Sequence, residues 1–360
     1  MPRPDRGPGD RAGRAIHAGL TGTRALVGTP YLAEPALRAA YDRDLSPRSI
    51  AAMGRILGER AVDGPLRAAV AGRRLRVVDL GCGTGAIGAA LDAHFGAGAV
   101  ERTSVDRHVT GPGIHNLDLA NPAAMAPLGG GYDLVVAAHL LNELYLEWPA
   151  PERPARLARL VRAWADALLA PAGLVVLIEP ALRETSRDLL QVRDRLLATA
   201  GLRVVAPCFI QGPCPALERE RDWCHDAAPA VERRRRVDFS YLVLAWDHDA
   251  GAEARAGMGT GTRAGDAGDD RMLFRVVSDP LGEKGKLRLF VCGPGGRQPL
   301  VRLHRHATEA NADLGALERG DVARIPILSS AAGAEPGSDD RRPDGVRVGP
   351  DWRIERVGQG

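Results

Sequence analysis

The sequence predicts an α/β chain: a mostly parallel, doubly wound sheet with helices on both faces. Three observations carry that expectation. Short, nearly all-apolar runs alternate with segments of helical periodicity from Leu75 to Trp246, the pattern of buried parallel strands joined by crossover helices. A glycine-rich turn follows the first of those runs. The 360 residues are 45% hydrophobic, enough to bury one large core or a large core with a small satellite.

Residues 1–28 are rich in Gly, Pro and Arg and read as a mobile tail. Residues 29–70 form an N-terminal helical segment, with Leu37 and Tyr41, then Ile50, Met53 and Leu57 after a Ser46-Pro47 start signal. The run LRVVDL from Leu75 is a first strand, followed by the glycine turn and the helix AIGAALDAHF. Further strands are expected at 102–106, within 113–119, at 132–141, 173–180, 202–207 and 239–246. Helices are expected at 154–169 and 186–200, which makes seven strands in a Rossmann-like unit over residues 71–248. A Gly/Ala/Asp-rich linker covers 249–270, a small β-hairpin extension 271–327, and a second Gly/Pro/Asp/Arg-rich tail 328–360.

Composition excludes several classes. No run of 18 uninterrupted apolar residues occurs and the first thirty residues hold no apolar signal core, so no membrane partner and a cytoplasmic setting are expected. A net charge of +3 is too small to argue nucleic-acid binding. The run Arg233–Arg236 suits RNA phosphates and a solvated helix end equally. Aromatic residues make up only 4%, which argues against a surface built from stacking platforms.

In VVDLGCGTG, Asp79 stands two residues before Gly81, and Gly83 and Gly85 complete G-x-G-x-G. Glycines let the chain turn sharply from strand to helix and let a ligand approach the backbone. Gly83, Gly85 and Gly88 also spell the dinucleotide pattern, a weak match by itself. Asp79 discriminates: a carboxylate is unfavourable beside a pyrophosphate and favourable beside the cationic methionine end of S-adenosylmethionine (SAM). Asp106 ends the second strand, placed for ribose hydroxyls, as in nicotinamide sites too. Asp118, with Leu119 beside it, closes the third strand and suits the adenine amino group. With the last strand pairing as a hairpin with the sixth, the set resembles class I SAM-dependent methyltransferases. The segment after the fourth strand, AAHLLNEL, offers His139, Asn142 and Glu143 but no amino-methylating motif and no Pro-Cys nucleophile, so no catalytic residue is assigned.

Four of five cysteines form a second candidate site. Cys208, Cys214 and Cys224 lie within one Pro/Gly-rich stretch, and Cys292 lies on the later hairpin. Four thiolates suit tetrahedral zinc or an iron–sulfur cluster, and the absence of close C-x2-C pairs tilts the choice toward the larger cluster. Cys82, inside the glycine turn, reads as a packing residue.

The stretch APCFIQGPCPALERERDWCH, the later FSYLVL, and Val291-Cys292-Gly293 followed by Gly320-Asp321 resemble the ribosomal-small-subunit-associated methyltransferase-like family, whose eukaryotic members act on the mitochondrial small subunit. The similarity runs from about Tyr31 to Ile325 and is strongest over 206–246. It implies a class I methyltransferase fold, a 4Fe–4S cluster on Cys208, Cys214, Cys224 and Cys292, and a partner in the small ribosomal subunit or its rRNA. Phe209-Ile210-Gln211 departs from the family's Pro-His-acid, and Asp226 stands where an aromatic commonly follows Cys-His. Alternatives are a non-catalytic SAM-binding assembly factor, and a small-molecule methyltransferase with a structural zinc.

Overall fold

The computed structural model describes residues 8–109, 111–199, 201–229, 236–248, 271–294, 296–326 and 345–359. The central sheet uses β1 (Leu75–Leu80), β2 (Val100–Asp106), β3 (Ile114–Asn116), β4 (Tyr132–Ala138), β5 (Leu169–Pro180), β6 (Leu202–Ala206), β7 (Asp226–Pro229) and β8 (Arg236–Trp246). Its order is β3-β2-β1-β4-β5-β8-β6, with β7 beside β8. The first five strands run parallel, and β8 inserts antiparallel between β5 and β6. This is the class I methyltransferase arrangement that the sequence predicts, extended by β7.

Alternation along each strand explains why helices cover both faces. Val78, Leu80, Val135, Ala137, Val175 and Leu177 face one way, against α6 (Glu152–Leu168) and α7 (Arg183–Ala198). Val77, Leu134, Val136, Val176 and Ile178 face the other, against α3 (Ser46–Leu57), α4 (Arg60–Val70) and α5 (Ala86–Phe95). The chain leaves β1 for β2 and β3 on one side and returns to β4 on the other. The carboxyl ends of β1 and β4 therefore flank the switch point where such sheets bind ligands.

Several expectations are corrected. The segment 1–28 is not a tail throughout: α1 (Pro8–His17) forms, and Ile16 is fully buried. Composition hid it, because one apolar anchor suffices to dock so short a helix. It precedes α2 (Pro35–Asp44). The third strand stops at Asn116, so Asp118 lies two residues beyond it rather than closing it. Beyond 270 a second, seven-stranded sheet replaces the expected hairpin. It contains β9 (Arg271–Val276), β10 (Leu281–Glu283), β11 (Lys286–Gly293), β12 (Gly296–Leu303), β13 (Asp321–Pro326), β14 (Val346–Arg347) and β15 (Glu355–Gln359). The last two strands fall within the expected tail 328–360. The expected linker 249–270 and residues Arg233, Arg234 and Arg235 lie outside the described residues. Among the described residues no helix is long and apolar enough to cross a membrane.

A buried polar network joins the two sheets. The Glu59 carboxylate, 2% exposed, accepts from Arg55 at 3.2 Å, from both terminal nitrogens of Arg275 at 2.7 Å, and from the Tyr241 hydroxyl at 2.8 Å. Arg55 and Arg275 both also donate to the Gly320 carbonyl at 2.7 Å. Asp226, the departure from the family pattern, lies 3.6 Å from Arg55 and supplies a further buried carboxylate. Residues from the helical layer, the first sheet and the second sheet thus share one set of charges.

Candidate functional site

The glycine turn is built as its chemistry requires. Gly81, Gly83 and Gly85 all adopt positive φ, at 76°, 51° and 87°. The Gly81 and Cys82 amides donate to the Val105 carbonyl at 2.8 and 3.0 Å, fixing the turn against β2. Gly85 caps α5 in the left-handed conformation. Replacing Gly83 with alanine is expected to cost about 1–2 kcal/mol of stability, because L-residues resist this backbone region. Its Cβ would also lie 3.5 Å from the Leu32 side chain. Urea unfolding checks the first effect and SAM titration its consequence for the site.

Asp79 is the penultimate residue of β1, 3% exposed, and its Oδ1 has no hydrogen-bond partner. Burial, reinforced by the neighbouring Asp106 carboxylate, pushes its pKa up to about 7, with Arg102 acting the other way. Asp106 accepts from the Gly83 amide at 3.0 Å and from the His108 and Val109 amides at 2.8 and 2.9 Å. It is thus first an anchor of the turn, with three of roughly four lone-pair positions used. Asp118 is exposed, accepts from the Ala120 amide at 3.2 Å, and lies 3.9 Å from Arg107. The Leu119 side chain is buried in the core with Met125 and Leu128. The structure brings Asp79, Asp106 and the three glycines together and leaves Asp118 at the rim.

The N-terminal segment covers this cleft, which sequence reasoning missed. Tyr31 donates to Glu143 at 3.2 Å, and the Gly28 amide also donates to that carboxylate. Arg24 donates to the Asn142 carbonyl and side-chain oxygen at 3.3 and 3.4 Å. Ser46 and Thr84 hydroxyls meet at 2.7 Å, tying α3 to the glycine turn. The rings of Tyr31 and Tyr41 lie 6.0 Å apart, and burial raises the pKa of both, Tyr41 to about 12. The only sequence signal was two tyrosines ten residues apart in an aromatic-poor chain.

Burial likewise pushes Glu143 up to about 7, and pushes the neighbouring His139 down to about 4. His139 follows β4 with φ 56°, a left-handed backbone uncommon outside glycine. Below the loop, Glu179 is 1% exposed and accepts from the Leu141 and Asn142 amides at 2.8 and 3.3 Å, so the 139–143 turn is fixed from beneath. The Asp106 carboxylate raises the proton affinity of both Asp79 and Glu143. A ligand carrying positive charge relieves that repulsion; a pyrophosphate adds to it.

The second site lies where β6, α7 and β11 meet. Cys208, Cys214, Cys224 and Cys292 all line one cavity. Burial, then the proximity of the other cysteines, raises the thiol pKa values: Cys214 to about 12, Cys224 to about 11, and Cys292 upward as well. Arg193, 1% exposed, holds the loop by donating to the Gly212 carbonyl at 2.9 Å and to the Ile210 carbonyl. Asp194 accepts from the Cys214 amide at 2.9 Å. The Gln211 side chain pairs with both backbone groups of Val204 at 2.9 Å, so the departure at 209–211 braces the loop against β6. Among the described residues no group of three or more His, Cys, Asp or Glu side chains is placed to hold a metal ion. Cys82, 7% exposed, packs inside the glycine turn.

No curated protein matches the chain by sequence. Among solved structures it is similar to the plantazolicin methyltransferase BpumL in complex with SAH, at 11% identity and TM-score 0.30, over 51% of this chain and 65% of that one. It is similar to Aeropyrum pernix fibrillarin with natively bound SAM, at 14% identity and TM-score 0.27, over 47% and 66%. A SAM-dependent methyltransferase from Agrobacterium tumefaciens gives 13% identity and TM-score 0.30, over 51% and 60%. The chain therefore spans a little under two thirds of the length of each. Residues 73–307 match the family described as mitochondrial small ribosomal subunit Rsm22, and the chain belongs to that family.

Proposed function

We propose that the chain is a SAM-dependent methyltransferase acting on small-subunit ribosomal RNA, carrying a 4Fe–4S cluster on its four cysteines. The observation that carries the SAM reading is the buried Asp79 carboxylate near the end of β1, whose Oδ1 has no hydrogen-bond partner. A buried acid without a partner is costly unless a cation meets it. SAM supplies a methyl group on a sulfonium. Asp79 would meet its cationic methionine end, the turn at Gly81, Gly83 and Gly85 would admit the backbone-close portion, and Asp106 has a lone pair left for a ribose hydroxyl. Asp118 would flank the adenine at the rim, with the backbone of Leu119 beside it. The Tyr31–Glu143 and Arg24–Asn142 contacts would exclude water and hold the 139–143 turn in place, so the contribution of these residues is positioning.

The donor set supports a cluster: four soft thiols line one space. Cys208, Cys214 and Cys224 would hold it from the first sheet and Cys292 from the second, a structural role in which binding energy is folding energy. Zinc is the alternative occupant, and a colourless protein containing zinc after anaerobic purification would establish it. Exchanging Cys292 for serine is expected to lower bound iron and visible absorbance and to speed protease cleavage between β8 and β9. Unchanged absorbance and unchanged protease resistance count against a cluster that bridges the two sheets.

A second reading is a non-catalytic assembly factor for which SAM is a structural ligand. It is favoured by the 139–143 turn, whose Asn142 and Glu143 are engaged by Arg24 and Tyr31 rather than turned to an acceptor. Radiolabelled SAM with small-subunit rRNA separates the two: label transferred to RNA supports the enzyme, and stoichiometric binding without transfer supports the factor. The proposed setting is the cytoplasm, where thiols stay reduced, although the family takes its description from a mitochondrial protein.

A further inference from the structure

The second sheet has a topology of its own. Taking β9, β11, β12 and β13 as strands one to four, and the bent segment 346–359 as strand five, one pairs with two and four, and two with three. The fifth runs parallel to the third through β14 and antiparallel to the fourth through β15. One short segment therefore ties both edges and closes the sheet. The order one-two-three-five-four-one, with a helical turn at Glu309–Gly315 between strands three and four, is that of the OB barrel. Leu289, Val291, Leu300, Leu314 and Ile354 fill its core.

Such barrels hold oligonucleotides on the face of strands two and three and on the loop joining strands one and two. Here that region is basic. It holds the only two lysines of the chain, Lys284 and Lys286. Lys286, Arg288 and Phe290 alternate with the buried Leu289 and Val291 and so share one face of β11, whose far end, at Cys292, turns to the cysteine cavity. The His304 amide donates to the Gly285 carbonyl at 3.0 Å, bringing His304 and Arg305 to the same end. Lys284, His304 and Arg305 are exposed. The opposing charge is Glu283, 3.0 Å from Lys286 and 3.3 Å from Arg288; further along the face, Arg297 lies over the Phe290 ring and 3.6 Å from Asp222. Residues 271–326 and 345–359 carry 13 Arg and Lys against 8 Asp and Glu, whereas the whole chain is only +3. The basic surplus is concentrated in the barrel.

We propose that this barrel binds single-stranded RNA across Lys284, Lys286, Arg288, His304 and Arg305. Charge complementarity with a phosphate chain selects the occupant. The proposal shares with the function above its RNA partner, and it stands independently of SAM and of methyl transfer.

The test is fluorescence anisotropy of the full chain with a labelled single-stranded RNA dodecamer at several salt concentrations, with SAM binding measured in parallel. Replacing Lys284, Lys286 and Arg305 together with alanine should weaken RNA binding about tenfold or more and reduce the salt slope by about 2. Removing Arg60 and Arg203, exposed residues of the other half, should not. Should the triple variant misfold, Lys284→Glu alone must still weaken binding. RNA affinity unchanged in a folded variant overturns the proposal, as does no binding by the wild type or equal competition by polyglutamate, which would make the face a site for acidic peptides. Loss of SAM binding by the wild type with RNA binding retained overturns the cofactor reading and leaves this one standing.

Discussion

Replacing Glu59 with alanine is expected to destabilise the chain by about 3–5 kcal/mol, the usual consequence of removing one partner from a buried ion pair. Glu59 receives hydrogen bonds from Arg55, Arg275 and Tyr241, and its loss leaves two buried guanidiniums facing Asp226 alone. Because Arg275 belongs to β9 and Arg55 to α3, the damage should fall on the joint between the sheets. Urea unfolding measures the loss, and limited proteolysis between β8 and β9 shows where it falls. A change below about 1 kcal/mol, the scale of exposed pairs, would mean that the network does not couple the two halves.

Asp79→Asn should weaken SAM binding by about 1.5–3 kcal/mol, roughly ten- to hundredfold, since a charge-assisted contact is lost while shape is kept. The wild type should show a matching pH dependence. In the empty protein the Asp79 carboxyl is protonated below about 7 and must release its proton to meet a cation. Affinity is therefore highest above that pH and should fall by up to about tenfold per unit below it. The asparagine variant should lose the part of this dependence that belongs to Asp79, with Glu143, also raised to about 7, supplying the remainder. Calorimetric titration across this range measures both. A variant that binds SAM as tightly as wild type would remove Asp79 from the site.

What the sequence made legible follows from burial. Strands β1, β4, β5 and β8 are covered on both faces, so each reads as an apolar run. Asp79 was legible because glycines in a strand-to-helix turn announce their purpose locally. Glu59 was not, because its partners Tyr241 and Arg275 lie 182 and 216 residues away, and the local Arg55 pair reads like any surface i,i+4 pair. The contact between Tyr31 and Glu143 spans 112 residues and was hidden for the same reason.

The barrel was read as a hairpin because its last strands, β14 and β15, are very short and set among glycine and proline residues that mimic a tail. Asp118 was placed too deep because β3 is only three residues long. Of the four cysteines, three were grouped by proximity in sequence. Cys292, on the later strand, was added to them as a fourth thiolate, and in the fold it lines the same cavity.

The most direct trial of the cleft at residues 79–85 is calorimetry of the intact chain with SAM and, separately, with a nicotinamide dinucleotide at pH about 8 and about 6. Saturable SAM binding that weakens at the lower pH, with no heat from the dinucleotide, is the predicted result. Tight dinucleotide binding with indifference to SAM would contradict the assignment of Asp79 as a carboxylate awaiting a cation.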